Sequence, residues 1–141
     1  MKYFAALVLS PLAALVATAP TSETVTISNF IYRAPAGGLA VDGQQVARYM
    51  RFKLSVDDIT CQALDVDIPA TDYVCDDPAY TFDTLNPGVL DATFLIRLYH
   101  SIGDADDASK LSGDFRIIAT GPLSIIKDQV GTTTGTLTPS Q

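Results

Sequence analysis

Few side chains in this 141-residue chain have a type and spacing that could support chemistry. His100 is the only histidine, so a Ser-His-Asp relay or a histidine-metal centre would have to use it. It sits where a strand pattern gives way to an acidic stretch, a place equally suited to a surface or capping residue. No Gly-x-Ser-x-Gly elbow accompanies it. Paired carboxylates occur at Asp57-Asp58, Asp76-Asp77 and Asp106-Asp107. Glycosidase chemistry needs two carboxylates facing each other across a cleft, and sequence neighbours do not provide that. Turn formation accounts for all three pairs. Asp104, Asp106, Asp107 and Asp114 could draw in calcium, but the EF-hand glycine and glutamate positions are not met. A solvated loop is the simpler reading. No catalytic residue, metal ligand or cofactor is therefore expected.

Tyr32, Tyr49, Tyr73, Tyr80 and Tyr99 lie among aspartates, a combination that can stack on and hydrogen-bond sugars. Tyrosine is also an ordinary strand residue, and the absence of tryptophan weakens a sugar platform.

Cys61 and Cys75 are the only cysteines. Their reading depends on compartment, and the N-terminus supplies it. Lys2 gives a short positive start, Ala5 to Val16 is an apolar stretch, and Ala17-Thr18-Ala19 offers small residues to a signal peptidase. Residues 1–19 read as a secretory signal, cleaved after Ala17 or Ala19. The apolar stretch is shorter than the roughly 20 residues of a spanning helix, so no membrane anchor is expected. Loss of Lys2 takes the net charge from −7 to about −8. In an oxidising compartment Cys61 and Cys75 form one disulfide. A zinc site would need carboxylates to complete its four ligands.

The elements that would position these residues are strands. Fifteen of the sixteen acidic residues are aspartate, which favours turns over helix interiors. Val25 to Tyr32 is β-branched and aromatic, with Val25, Ile27, Asn29 and Ile31 on one face by period two. Tyr49 to Val56 alternates most cleanly: Met50, Phe52, Leu54 and Val56 face a core, while Tyr49, Arg51, Lys53 and Ser55 face water. Ile59 to Leu64, Tyr73 to Cys75, Tyr80 to Phe82, Ala92 to Tyr99, Phe115 to Thr120 and Leu123 to Val130 complete the set. Asp65 to Asp72 and Ser101 to Ser112 read as loops. Turn residues recur every 8 to 15 residues or so, and no 3.6-period apolar stripe competes outside the signal. The expectation is an all-β domain over residues 20–130, a small antiparallel β-barrel or sandwich of about seven strands with one disulfide. Residues 131–141 read as a disordered Thr-rich tail.

With a formal charge of −7, the chain is a poor candidate for nucleic-acid binding. Beyond that, composition does not select a function. A resemblance does. Val25-Thr26-Ile27-Ser28-Asn29-Phe30 with Tyr32-Arg33, then Met50-Arg51-Phe52-Lys53-Leu54 leading to Ile59-Thr60-Cys61, then Asp72-Tyr73-Val74-Cys75, Tyr80-Thr81-Phe82 and Phe94 to Leu98 follow in an order that resembles the Alternaria major allergen family. These are secreted fungal β-barrel proteins, several of which act as effectors or elicitors on plants. The Cys61 to Cys75 spacing suits the family's first internal disulfide. Two features depart from it: no second internal disulfide is possible, and no cysteine precedes Cys61 to link a covalent dimer.

The resemblance implies a secreted, extracellular protein of the host apoplast or fungal wall. It would bind a host defence protein or surface component without catalysis. A cell-wall or carbohydrate-binding module using the tyrosines is the alternative, and a hydrolase centred on His100 and an aspartate is the third reading.

Overall fold

The computed structural model describes residues 22–86, 93–103, 109–123 and 126–140. These residues form strands and no helix: β1 (Glu23–Arg33), β2 (Leu39–Val41), β3 (Gln44–Val46), β4 (Tyr49–Leu54), β5 (Thr60–Leu64), β6 (Ala70–Val74), β7 (Tyr80–Leu85), β8 (Thr93–Ile102), β9 (Ser109–Leu123), β10 (Ile126–Gln129) and β11 (Thr133–Pro139). The signal reading of residues 1–19 lies outside the described residues, as do Asp104, Asp106 and Asp107.

Nine strands make one antiparallel sheet, ordered β5-β4-β1-β10-β9-β8-β7-β6, with β11 pairing both β1 and β9 beside β10. The sheet curls until its two edges meet. At the seam Cys61 of β5 forms one bridge to Cys75, the residue that follows β6, and Asp76 N donates to Thr60 O at 2.9 Å. The Cys61–Cys75 disulfide lies on that seam, with the two Cα atoms 4.1 Å apart. The barrel is thus fastened at one point and not closed by a continuous ladder.

The fold is all-β and antiparallel with one disulfide, as the turn spacing implies. The strand count exceeds seven. One added pair is the β2-β3 hairpin, whose Asp42-Gly43 turn has positive φ at both residues (51° and 79°). Asp-Gly suits such a turn because both types tolerate the left-handed region.

Alternation on β4 holds from Met50 to Leu54 but not at Tyr49, which period two turns to water and which is instead buried, its hydroxyl bonded to Gln62. Met50, Phe52 and Leu54 are buried and Arg51 is exposed. Alternation on β1 breaks. Val25 and Ile27 point inward, but Asn29 adopts φ 55° and the register against β4 shifts between Ser28 and Ile31. Such a bulge turns the following side chains over. Phe30 takes the core position that unbroken period two gives to Ile31, and it is fully buried. The Gln129 side chain holds the irregularity. Its Oε1 accepts from Phe30 N, and its Nε2 donates to Ile27 O and Thr133 Oγ1, each at 3.1 Å.

The chain after Gly131 is not a disordered tail. Thr133 to Pro139 forms β11, which pairs Glu23–Ile27 of β1 on one side and Leu111 and Ser112 of β9 on the other. Leu137 is fully buried. A polar composition argues for disorder only when no apolar side chain is anchored. Here Gly135 also lets the strand lie on the Phe115 ring, where a Cβ would come within 2.8 Å.

Strand limits move as well. β9 runs unbroken through Gly121-Pro122, because Gly121 has no Cβ to collide with the Ile126 carbonyl. β8 and β9 extend into the segment read as a Ser101–Ser112 loop, pairing Ser101 with Lys110 and Ile102 with Ser109. β6 begins at Ala70, inside the segment read as the Asp65–Asp72 loop. Within the barrel, Phe30, Phe52, Phe82 and Phe115 form the centre of the core, with Phe52 meeting Phe82 edge-on at 4.9 Å.

Candidate functional site

Antiparallel register places chemistry on both faces of the β7-β8-β9 ladder. Tyr80 and His100 are direct cross-strand partners with inward side chains. Their rings stack at 4.1 Å between centroids, 14° from parallel. Glu23, the sole glutamate of the chain, opens β1 and meets both. One oxygen lies 2.6 Å from His100 Nδ1, and the other accepts from Tyr80 OH at 2.6 Å. Burial and the neighbouring Glu23 carboxylate hold the Tyr80 phenol protonated, well above the usual tyrosine range. Among the described residues His100 is thus held by a glutamate and a tyrosine, and no aspartate bonds it. The contact joins β1 to β8 at one end of the barrel.

The outer face of the same ladder holds a different set. Asp83 of β7 pairs with Arg97 of β8, and Arg97 with Asp114 of β9. Arg97 makes a two-pronged contact with Asp114, Nε to Oδ1 at 2.7 Å and Nη2 to Oδ2 at 3.0 Å. That carboxylate strengthens the charged form of the guanidinium. Two residues along, Tyr99 pairs with Ser112. Tyr99 OH donates to Asp83 Oδ2 at 2.8 Å, while Asp83 Oδ1 accepts from Asp72 N at 3.0 Å. The Tyr99 phenol is pushed up by burial and then by Asp83, against a smaller opposing effect of Arg97.

At the end of β11, Ser140 bonds Ser112 through their hydroxyls at 2.8 Å. These groups line a shallow groove of about 520 Å³, bounded by Arg97, Tyr99, Ser112, Asp114, Pro139 and Ser140. That volume lies in the range of small-molecule sites. Lys110 Nζ sits 5.2 Å from the Tyr99 ring centroid.

The other tyrosines do not join Tyr99 in one platform. Tyr49 is buried and donates to Gln62 Oε1 at 2.9 Å. Tyr73 packs on Phe82 at 5.3 Å, and its hydroxyl accepts from Asp67 N. Tyr32 packs on Phe94 at 5.1 Å and lines a smaller depression of about 340 Å³ with Arg48, Val66, Asp67 and Ile68. Burial raises the Tyr32 phenol, opposed by Arg48.

The acidic candidates separate in the same way. Asp57 and Asp58 both take positive φ in the turn after β4, and Asp58 reaches Lys53 at 3.2 Å. Asp77 Oδ1 accepts from Ala79 N at 2.9 Å, closing the turn before β7. Asp114, read with the calcium candidates, is committed to Arg97. Among the described residues no group of three His, Cys, Asp or Glu side chains could hold a metal ion. No described helix is long and apolar enough to cross a membrane.

Two site features escape a reading of the sequence. Glu23 pairs with a residue 77 positions away, and the Arg97–Asp114 contact depends on cross-strand register. The one available signal was Arg97 as the only charge in its strand.

No family model matches the chain, and no curated protein is similar to it.

Proposed function

We propose that this protein is a secreted effector- or elicitor-type binding protein. It recognises a host defence protein or a surface component and performs no catalysis. The observation that carries the reading is the outer groove around Tyr99. It is a recessed patch on a rigid antiparallel ladder, lined by an aromatic ring and polar side chains already held in place. Groups fixed before binding lose little conformational freedom on contact. The order of motifs resembling the Alternaria major allergen family supports the same reading, and the disulfide is consistent with an extracellular protein. His100 enters it as a structural residue, stacked on Tyr80 and bonded to Glu23.

The test is infiltration of the purified protein into leaves. Provoked or suppressed defence is the expected result. No response across several hosts would count against the proposal. A cell-wall carbohydrate-binding module is the second reading, favoured by the ring and hydroxyls that line the groove.

A further inference from the structure

We infer that the groove on β8, β9 and the end of β11 is a binding site for a neutral saccharide, with Tyr99 as its platform and the Arg97–Asp114 pair at its side. The inference rests on reading the protein as a binding protein and names the ligand class of that site.

The ring comes first. Among the described residues, Tyr99 packs on no other aromatic ring, whereas Tyr32, Tyr73 and Tyr80 each spend a face on a neighbour. Its hydroxyl is anchored from behind by Asp83, so the ring is held in one orientation. The Lys110 ammonium lies over the ring, 5.2 Å from its centroid, on an exposed side chain. A side chain of that kind can move aside for the apolar face of a sugar ring.

Next come the polar partners. The Arg97–Asp114 pair presents remaining donor and acceptor capacity side by side, because a guanidinium carries five N–H donors and a carboxylate about four acceptor sites. Pairing fixes both in a plane without exhausting either. Ser112 and Ser140 each donate or accept, and their mutual bond leaves further capacity on both. Adjacent ring hydroxyls of a sugar demand this mixture of donors and acceptors beside an apolar face.

Charge selects the neutral class. Arg97 is paired with Asp114, and Lys110 and the buried Asp83 both neighbour Tyr99, so the local charges balance. The chain as a whole carries −7, which repels a polyanion such as an acidic wall polymer. An anionic ligand would use Lys110 as a partner, while a neutral sugar would have Lys110 as a competitor for the ring. The two classes therefore predict opposite effects of removing Lys110.

The experiment is retention on insoluble β-glucan and on chitin, with polygalacturonate as the anionic comparison. The variants are Tyr99→Ala, Tyr99→Phe, Lys110→Ala and, as a control at the other depression, Tyr32→Ala. A native circular dichroism spectrum and a cooperative thermal transition establish folding for each variant, and Tyr99→Phe keeps the platform should Tyr99→Ala fail to fold. Wild type is expected to bind one of the two neutral polymers. Tyr99→Ala should lose about tenfold or more in affinity, the scale of removing a central aromatic anchor. Tyr99→Phe, which keeps the ring but loses the Asp83 bond, should lose less than Tyr99→Ala; Tyr32→Ala should retain binding, and Lys110→Ala should bind as well as wild type or better. No retention on either neutral polymer, or preference for polygalacturonate with loss in Lys110→Ala, overturns the inference. If neutral polymers fail while the leaf response persists and depends on Tyr99, the saccharide is wrong and the binding-protein reading stands.

Discussion

Tyr99 and Asp83 join two faces of one problem: the phenol that floors the outer groove is bonded at 2.8 Å to a carboxylate that is itself almost fully buried. Asp83 holds both the ring and the Asp72 amide of β6, so it links the groove to the edge strand. Asp83→Asn keeps the shape but weakens charge-assisted bonding. It should lower stability by about 1–2 kcal/mol. Chemical denaturation of the variant against wild type measures this.

The Glu23–His100–Tyr80 cluster is expected to stabilise the fold. Glu23→Ala leaves the Tyr80 hydroxyl without its acceptor in a buried position, at a cost of about 1–3 kcal/mol. His100→Ala removes the ring that stacks on Tyr80 and should cost about 1–2 kcal/mol. Both variants should keep the leaf response. A silent His100→Ala protein with native circular dichroism would restore the hydrolase reading.

Alkaline stability follows from Tyr80. Its folded phenol titrates above the ordinary tyrosine value of 10.0, because burial and Glu23 oppose its ionisation. The unfolded chain ionises first and binds fewer protons there, so stability present below about pH 10 falls as pH rises beyond it. Thermal midpoints should decline as pH rises above about 10, and Tyr80→Phe should reduce the decline to the part carried by Tyr32 and Tyr99, whose phenols are also raised. An identical slope in that variant would remove Tyr80 as its source.

The C-terminal strand is a further test. Leu137 is fully buried between β1 and β9. Leu137→Ala should cost about 2–5 kcal/mol. Truncation before Thr133 exposes the edges of β1 and β9 together and should abolish cooperative unfolding. A truncated chain with an unchanged midpoint would show that β11 is dispensable.

The disulfide closes the seam between β5 and β6. Replacing both cysteines with serine should cost about 3 kcal/mol in the chain-entropy account. The loss should appear as a lower denaturation midpoint with little change in the β-sheet circular dichroism spectrum.

Particular residues show what the sequence could and could not carry. Met50, Phe52 and Leu54 obey period two, so β4 is legible from local pattern alone. Cys61 and Cys75 are legible because only one pairing exists. Asn29 defeats the same rule on β1, because its left-handed conformation depends on a bulge that Gln129 holds from 100 residues away. Leu137 is one apolar residue in a polar run, and its burial depends on a gap that exists only when β1 and β9 are assembled. The groove is harder still. Tyr99, Asp114 and Ser140 meet through register and curvature, neither of which a local pattern encodes.

Leaf response with matched Tyr99→Ala and His100→Ala proteins separates the outer groove from the His100 cluster as the site of action. Both variants are first shown to be folded and are infiltrated at equal doses beside wild type. Tyr99→Ala is expected to lose the response while His100→Ala keeps it. A full response from Tyr99→Ala, with loss from His100→Ala, would contradict the outer groove as the site of action.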